Sequence, residues 1–141
     1  MATIRQQLRD NAVALVSLLV ALSALGYNTW RNEQTEANRN VRAAGFEMIR
    51  ELGSLQQVVF YSHFAAGDER GDSRMGWADV LTIGDLARVM PEDVAGSADR
   101  LRETWQRDFA ALGADEVAHV RIDGAIDDLR ARTLETLRRL D

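Results

Sequence analysis

The first pattern along the chain is an apolar run without a charged residue, from Ala12 to Tyr27. Charged residues flank this run on both sides. Extended as a helix to Trp30, the segment measures about 28 Å at 1.5 Å per residue, close to the roughly 30 Å thickness of bilayer hydrocarbon. Tyr27 and Trp30 stand where aromatic rings anchor a span at the membrane interface. The pattern predicts a transmembrane helix over residues 12–30, after an N-terminal tail at 1–11.

Two alternatives to a transmembrane helix stay open. Arg5 and Arg9 could form the basic region of a cleaved secretory signal, with Ala24-Leu25-Gly26 as its small-residue cleavage site. The segment could also be a core helix, but such a helix needs neighbours that cover it on all sides, and the later helices look amphipathic. The helical pattern continues beyond residue 26 without a proline or a loop, which favours the span.

A stripe of small residues runs along one side of this predicted span. Ala14, Ser17, Ala21 and Ala24 recur at spacings of 3, 4 and 3 residues. In lipid there is little hydrophobic drive between helices, and small residues matter because they let two backbones approach closely. We therefore expect this stripe to contact a membrane protein partner or a second copy of the chain.

A long amphipathic helix is predicted from Thr35 to about Ala66, continuous with the span. Its apolar stripe consists of Gly45, Met48, Ile49, Leu52, Leu55, Val59, Phe60 and Ala66. Ser17 and Ala24 fall in the same seven-residue register as Gly45, Leu52 and Val59. A related contact seam outside the membrane is therefore expected if the helix supercoils.

Three further helices are predicted after an exposed loop, GDERGDSRMG, at 67–76. The first uses Trp77, Val80, Leu81, Gly84, Ala87 and Met90. Pro91 is expected at the first position of the next helix, which uses Val94, Ala98, Leu101, Trp105, Phe109 and Leu112 and ends at Gly113. The last runs from about Asp115 to Leu140. The predicted fold class is all-α: an N-terminal transmembrane helix continuing into a long amphipathic helix, packed with about three more helices as a small bundle over 31–141.

Charge and composition exclude several classes of function. The net charge is −5 and no basic stripe is present, which argues against nucleic-acid binding because phosphate contacts need a basic face. All 17 basic residues are arginine, scattered along the chain. The absence of cysteine excludes disulfides, thiolate catalysis and zinc-thiolate sites.

The strongest candidate for metal chemistry is half a motif. Glu116 and His119 match the Glu-x-x-His element by which helical bundles hold di-iron centres, because residues three apart on a helix point to one side. A second copy is missing, since the only other histidine, His63, follows Phe60 at that spacing rather than a glutamate. The motif is interpreted as a polar surface pair, and no metal is expected.

Aromatic residues group near the end of the long helix, in VVFYSHF at 58–64. They could line a ligand or haem pocket, but no second ligand or cofactor motif accompanies them. We interpret them, with Trp77 and Trp105, as core residues. No nucleophile elbow, phosphate loop or paired carboxylates are present, so neither an enzyme nor a cofactor is expected.

The junction WRNE at 30–33, followed by NRN at 38–40 and a long helix, resembles small uncharacterised bacterial single-pass inner-membrane proteins. The resemblance covers the first 65 residues or so and implies a bacterial inner-membrane location without a known activity. The slightly more positive N-terminal flank favours a periplasmic helical domain. We expect a non-enzymatic accessory or structural subunit acting through helix–helix contacts; the alternative is a membrane-anchored sensor domain that binds a small ligand.

Overall fold

The computed structural model describes residues 11–65 and 67–140, and within them it contains helices and no strand. The α-helices are α1 (Ala12–Phe64), α2 (Gly76–Ala87), α3 (Glu92–Asp108) and α4 (Glu116–Arg139). Short 3-10 turns lie at Glu69–Gly71 and Phe109–Ala111. The all-α prediction with four helices is confirmed. Residues 1–10 of the predicted tail, with both arginines of the possible signal, and Ala66 lie outside the described residues.

Helix α1 is continuous over 53 residues, as the unbroken pattern predicted. Packing divides the chain into two units at the boundary between Asn38 and Arg39. In the first unit, every described residue is exposed. The hydroxyl of Thr35 donates a hydrogen bond to the carbonyl oxygen of Arg31 at 2.9 Å, one turn back along the same helix.

The second unit has a hydrophobic core to which all four helices contribute. Its buried apolar residues are Ala44, Met48, Leu52, Leu55, Val58, Val59, Val80, Ile83, Ala87, Met90, Val94, Ala98, Leu101, Trp105, Leu112, Ile122, Ile126 and Leu129. Trp105 is fully buried, whereas Trp77 packs at the edge of the core with its ring 5.6 Å from that of Phe109. The two tryptophans therefore behave as the core anchors that the sequence predicted.

Aspartates organise the ends of several helices. Asp115 precedes α4 and accepts a hydrogen bond from the backbone N–H of Val117 at 2.9 Å, which satisfies one of the free donors at the helix start. Pro91 immediately precedes α3 rather than being its first residue, a difference of one position. At the other end of α3, Asp108 is buried and is held by the guanidinium groups of Arg107 and Arg121.

The loop between α1 and α2 contains two similar pairs in which an aspartate accepts hydrogen bonds from an arginine two residues later. Asp68 accepts hydrogen bonds from the backbone N–H and the side chain of Arg70, and Asp72 does the same for Arg74. Arg70 also lies over the Tyr61 ring, 3.9 Å from its centroid. The predicted loop is therefore present, with a 3-10 turn inside it, but Gly76 at its predicted end is buried and belongs to α2.

Four sequence-based assignments of residues to faces are wrong. Phe60, Phe64 and Leu81, predicted to face the core, are more than half exposed. Gly45, with Leu52 and Val59, was expected to form a seam for a partner outside the membrane, but these residues are buried inside their own bundle. A Cβ at Gly45 would come 2.8 Å from Cδ2 of Leu137, so α4 already occupies this face.

Candidate functional site

The first half of α1 carries a large apolar surface that no other residue among 11–65 and 67–140 buries. An 18-residue window within this helix has a mean hydropathy of 1.7, and none of it is buried. Eight aliphatic side chains are 46% to 81% exposed: Val13, Leu15, Val16, Leu18, Leu19, Val20, Leu22 and Leu25. They follow one another too closely to lie on a single face, so the helix is apolar on all sides.

The predicted contact residues all lie on this exposed part of the helix. Ala14, Ser17, Ala21 and Ala24 are exposed along α1, so the stripe of small residues is accessible. Its contact with a partner stays a prediction. Beyond the stripe, the rings of Tyr27 and Trp30 are exposed and their centroids lie 6.1 Å apart. The two aromatic side chains expected at the membrane interface are therefore neighbours in space.

In the helical unit, the structure joins the half motif of α4 to His63 of α1. The imidazole rings of His63 and His119 stack, with centroids 4.2 Å apart and planes inclined by 14°. Nε2 of His63 lies 3.0 Å from Oε2 of Glu116. The Phe64 ring meets both imidazoles edge-on. Glu116 is exposed, as the interpretation of Glu116 and His119 as a polar surface pair expected, but both residues also contact His63 of α1.

His63 lies in the last turn of α1 and faces the carboxylate of Glu116. His119 lies near the start of α4.

The histidine cluster does not have the geometry of a metal site. Because the two rings are nearly parallel, the in-plane lone pairs of their nitrogens lie in two stacked planes and do not converge on one point. Within residues 11–65 and 67–140, no group of three or more histidine and acidic residues is arranged to hold a metal ion. Nδ1 of His63 and of His119 is buried without a hydrogen-bond partner among the described atoms.

Two adjoining clefts lie beside the loop that follows α1. One, of about 420 Å³, is lined by residues that include Val58, Met75 and Asp79. The other, of about 530 Å³, is lined in part by Phe60 and Tyr61. Gln57 and Arg70 border both clefts. Their size falls in the range of small-molecule sites, and their walls combine apolar and charged groups.

Comparison with known proteins adds no family to these observations. The chain matches no family model, and neither a curated protein nor a solved structure resembles it significantly. The candidate sites therefore depend on their own geometry. Sequence reasoning had singled out Glu116 and His119 together as half a motif, and His63 within the aromatic segment at 58–64. The signal that it lacked was which turn of α1 meets the first turn of α4.

Proposed function

We propose that this protein is a single-pass protein of a bacterial inner membrane, with its helical domain in the periplasm. It acts without catalysis, as an accessory or structural subunit that contacts another membrane protein or a second copy of itself. The observation that carries this proposal is the uncovered, all-round apolar surface of α1 between Val13 and Leu25.

The free energy gained by removing that apolar surface from water supports a lipid environment. Removing a half-exposed valine or leucine side chain from water contributes about 1 kcal/mol, so the eight exposed side chains contribute roughly 8 kcal/mol together. That is comparable with the whole folding stability of a small domain. Soluble monomers rarely leave apolar patches of this size in water. The neighbouring rings of Tyr27 and Trp30 suit the boundary between lipid and water.

Alkaline extraction of membranes that contain the full chain tests this proposal. We expect the chain to stay in the pellet, and mass spectrometry of the retained form to find Met1 or Ala2 at its start. A mature N-terminus at Tyr27 would instead support the cleaved signal. A variant with both Leu18→Arg and Leu22→Arg should be released from the membrane pellet. Each arginine near the centre of a span costs about 3 kcal/mol of insertion free energy. Leu81→Arg, an equally exposed position on α2, should leave retention unchanged.

The two clefts favour a second candidate, a membrane-anchored sensor that binds a small ligand in its helical domain. Ligand that binds only the folded state must raise its melting temperature, so a ligand-dependent shift favours the sensor. Recovery of a stoichiometric membrane partner from native membranes favours the accessory subunit. Substitution of Arg70, which borders both clefts, should abolish a ligand-dependent shift and leave recovery of the partner unaffected.

A further inference from the structure

One of the three methionines within residues 11–65 and 67–140 lies in solvent, and the core covers the other two. Met75, the residue before α2, is 65% exposed. Met48 is 0% exposed and Met90 is 8% exposed. The hydroxyl of Thr133 also donates a hydrogen bond to the sulfur of Met48 at 3.3 Å. The fold therefore separates one accessible thioether from two protected ones.

We propose that Met75 is a site of reversible oxidation to methionine sulfoxide by a peroxide. The lone pair of the thioether sulfur attacks one oxygen of hydrogen peroxide, the O–O bond breaks and an S–O bond forms. The second oxygen leaves as water with both hydrogens. Sulfur loses two electrons and the peroxide gains them, so no further reactant is needed. The chain has no cysteine, so no thiolate competes with Met75 for the oxidant.

The position of Met75 lets the domain stay folded when its sulfur is oxidised. Oxidation turns a flexible apolar side chain into a polar one. At Met75 the new oxygen stays in water and costs no buried hydrogen bond. At Met48 the same oxygen would enter a filled core, where added volume and an added polar group both destabilise. Oxidation of the folded protein should therefore occur at Met75 and not at the two core methionines.

The modified side chain belongs to a cleft wall. Met75 lines the cleft of about 420 Å³ together with the apolar residues Val58 and Ala78. A thioether sulfur is a weak hydrogen-bond acceptor, whereas the sulfoxide side chain is polar. Oxidation and its reversal by a methionine sulfoxide reductase therefore exchange two chemically different forms of this cleft. The exposure of Met75 gives the reductase access without unfolding.

Peptide mapping of the full chain in detergent micelles tests this proposal. The chain is treated with hydrogen peroxide, then quenched, denatured, digested with trypsin and analysed by mass spectrometry. Met48, Met75 and Met90 fall in different tryptic peptides, 43–50, 75–88 and 89–100. A buried side chain reacts only when its region opens, so we expect peptide 75–88 to gain oxygen at least about ten-fold faster than the other two. Denaturation in urea before the peroxide is added should make the three rates similar.

Two further measurements test the tolerance and the reversibility of the oxidation. The melting temperature of the chain oxidised at Met75 should stay within about 2 °C of the untreated value, because no buried contact is lost. A methionine sulfoxide reductase with a dithiol should return peptide 75–88 to its original mass while the chain is folded. Met75→Leu is the matched control, since leucine is apolar and of similar size. This variant should leave peptide 75–88 unmodified and the rates at Met48 and Met90 unchanged.

Three results would overturn the proposal. Similar oxidation rates of the three peptides in the folded chain would mean that the fold does not single out Met75. Oxygen that remains on peptide 75–88 in Met75→Leu would place the reaction on another residue, such as Trp77. A sulfoxide that the reductase removes only after unfolding, or that lowers the melting temperature by several degrees, would contradict a reversible modification of the folded domain.

Discussion

Replacing Gly76 with alanine should destabilise the domain, because the ring of Trp105 occupies the space that a side chain needs. A Cβ at this position would lie 2.3 Å from Cζ2 and 2.5 Å from Cη2 of that ring, and 2.9 Å from Cδ1 of Leu55. Trp105 and Leu55 are both fully buried, so neither can swing into solvent to make room. Either the ring or the start of α2 has to shift.

The expected loss is about 1 to 2 kcal/mol in the free energy of unfolding. Overpacking a well-filled core costs roughly 1 to 3 kcal/mol, and the better helix propensity of alanine offsets up to about 1 kcal/mol of it. Gly84→Ala is the matched control in the same helix, because its Cβ meets nothing within 4 Å. At Gly84 only the higher helix propensity of alanine acts, and we expect the free energy of unfolding to rise by about 0.5 to 1 kcal/mol.

Urea unfolding of the segment from Glu33 to Asp141, followed by far-UV circular dichroism, measures both changes. We expect the segment to be soluble, helical and monomeric or weakly associated. Trp105→Phe removes the atoms that clash, so the cost of Gly76→Ala should shrink in that background. Similar effects of alanine at Gly76 and Gly84 would refute the reasoning, because the two sites would then not differ in packing.

Two further predictions concern a buried charge and the span. Hydrogen bonds from Arg121 and then Arg107 lower the pKa of Asp108 to about 2, below an unfolded value of about 3.9, so folding favours the ionised form. This contribution to the free energy of unfolding is about 1 to 2 kcal/mol after allowance for the half-exposed arginines. It is complete above about pH 5 and is lost between roughly pH 4 and 2. The difference in unfolding free energy between the wild type and Asp108→Asn should therefore shrink as the pH falls through that range. Replacing Ser17 and Ala21 together with leucine should reduce association in membranes, measured by partner recovery or self-association; undiminished association would remove the small-residue stripe as a contact surface.

The helices of the fold were predictable where apolar residues lie on one side only. In α3, the spacing through Val94, Ala98, Leu101 and Trp105 identified residues that are all buried. Prediction failed for Phe60 and Leu81 because apolar residues there lie on two sides of their helices. Periodicity locates such residues around a helix, but the choice of the buried side depends on where the other helices pack.

The candidate sites show the same division between local and tertiary information. The apolar segment, its small residues and its aromatic end are properties of consecutive positions, so the sequence was sufficient to propose them. The stacking of His63 on His119 joins residues that are 56 positions apart. It depends on the register in which α4 packs along α1.

The loop after α1 makes the domain a natural pair of complementary fragments. Arg70 and Arg74 are exposed there, between a helix that supplies residues such as Leu52 and Leu55 to the core and three helices that supply the rest. Tryptic cleavage after either arginine would cut the backbone without dividing the core. In the proposed membrane-anchored protein, the fragment that contains α2, α3 and α4 would then stay with α1 through packing alone, and urea would release it. If the two fragments are expressed separately, their reassembly into one domain measures whether this core can still form.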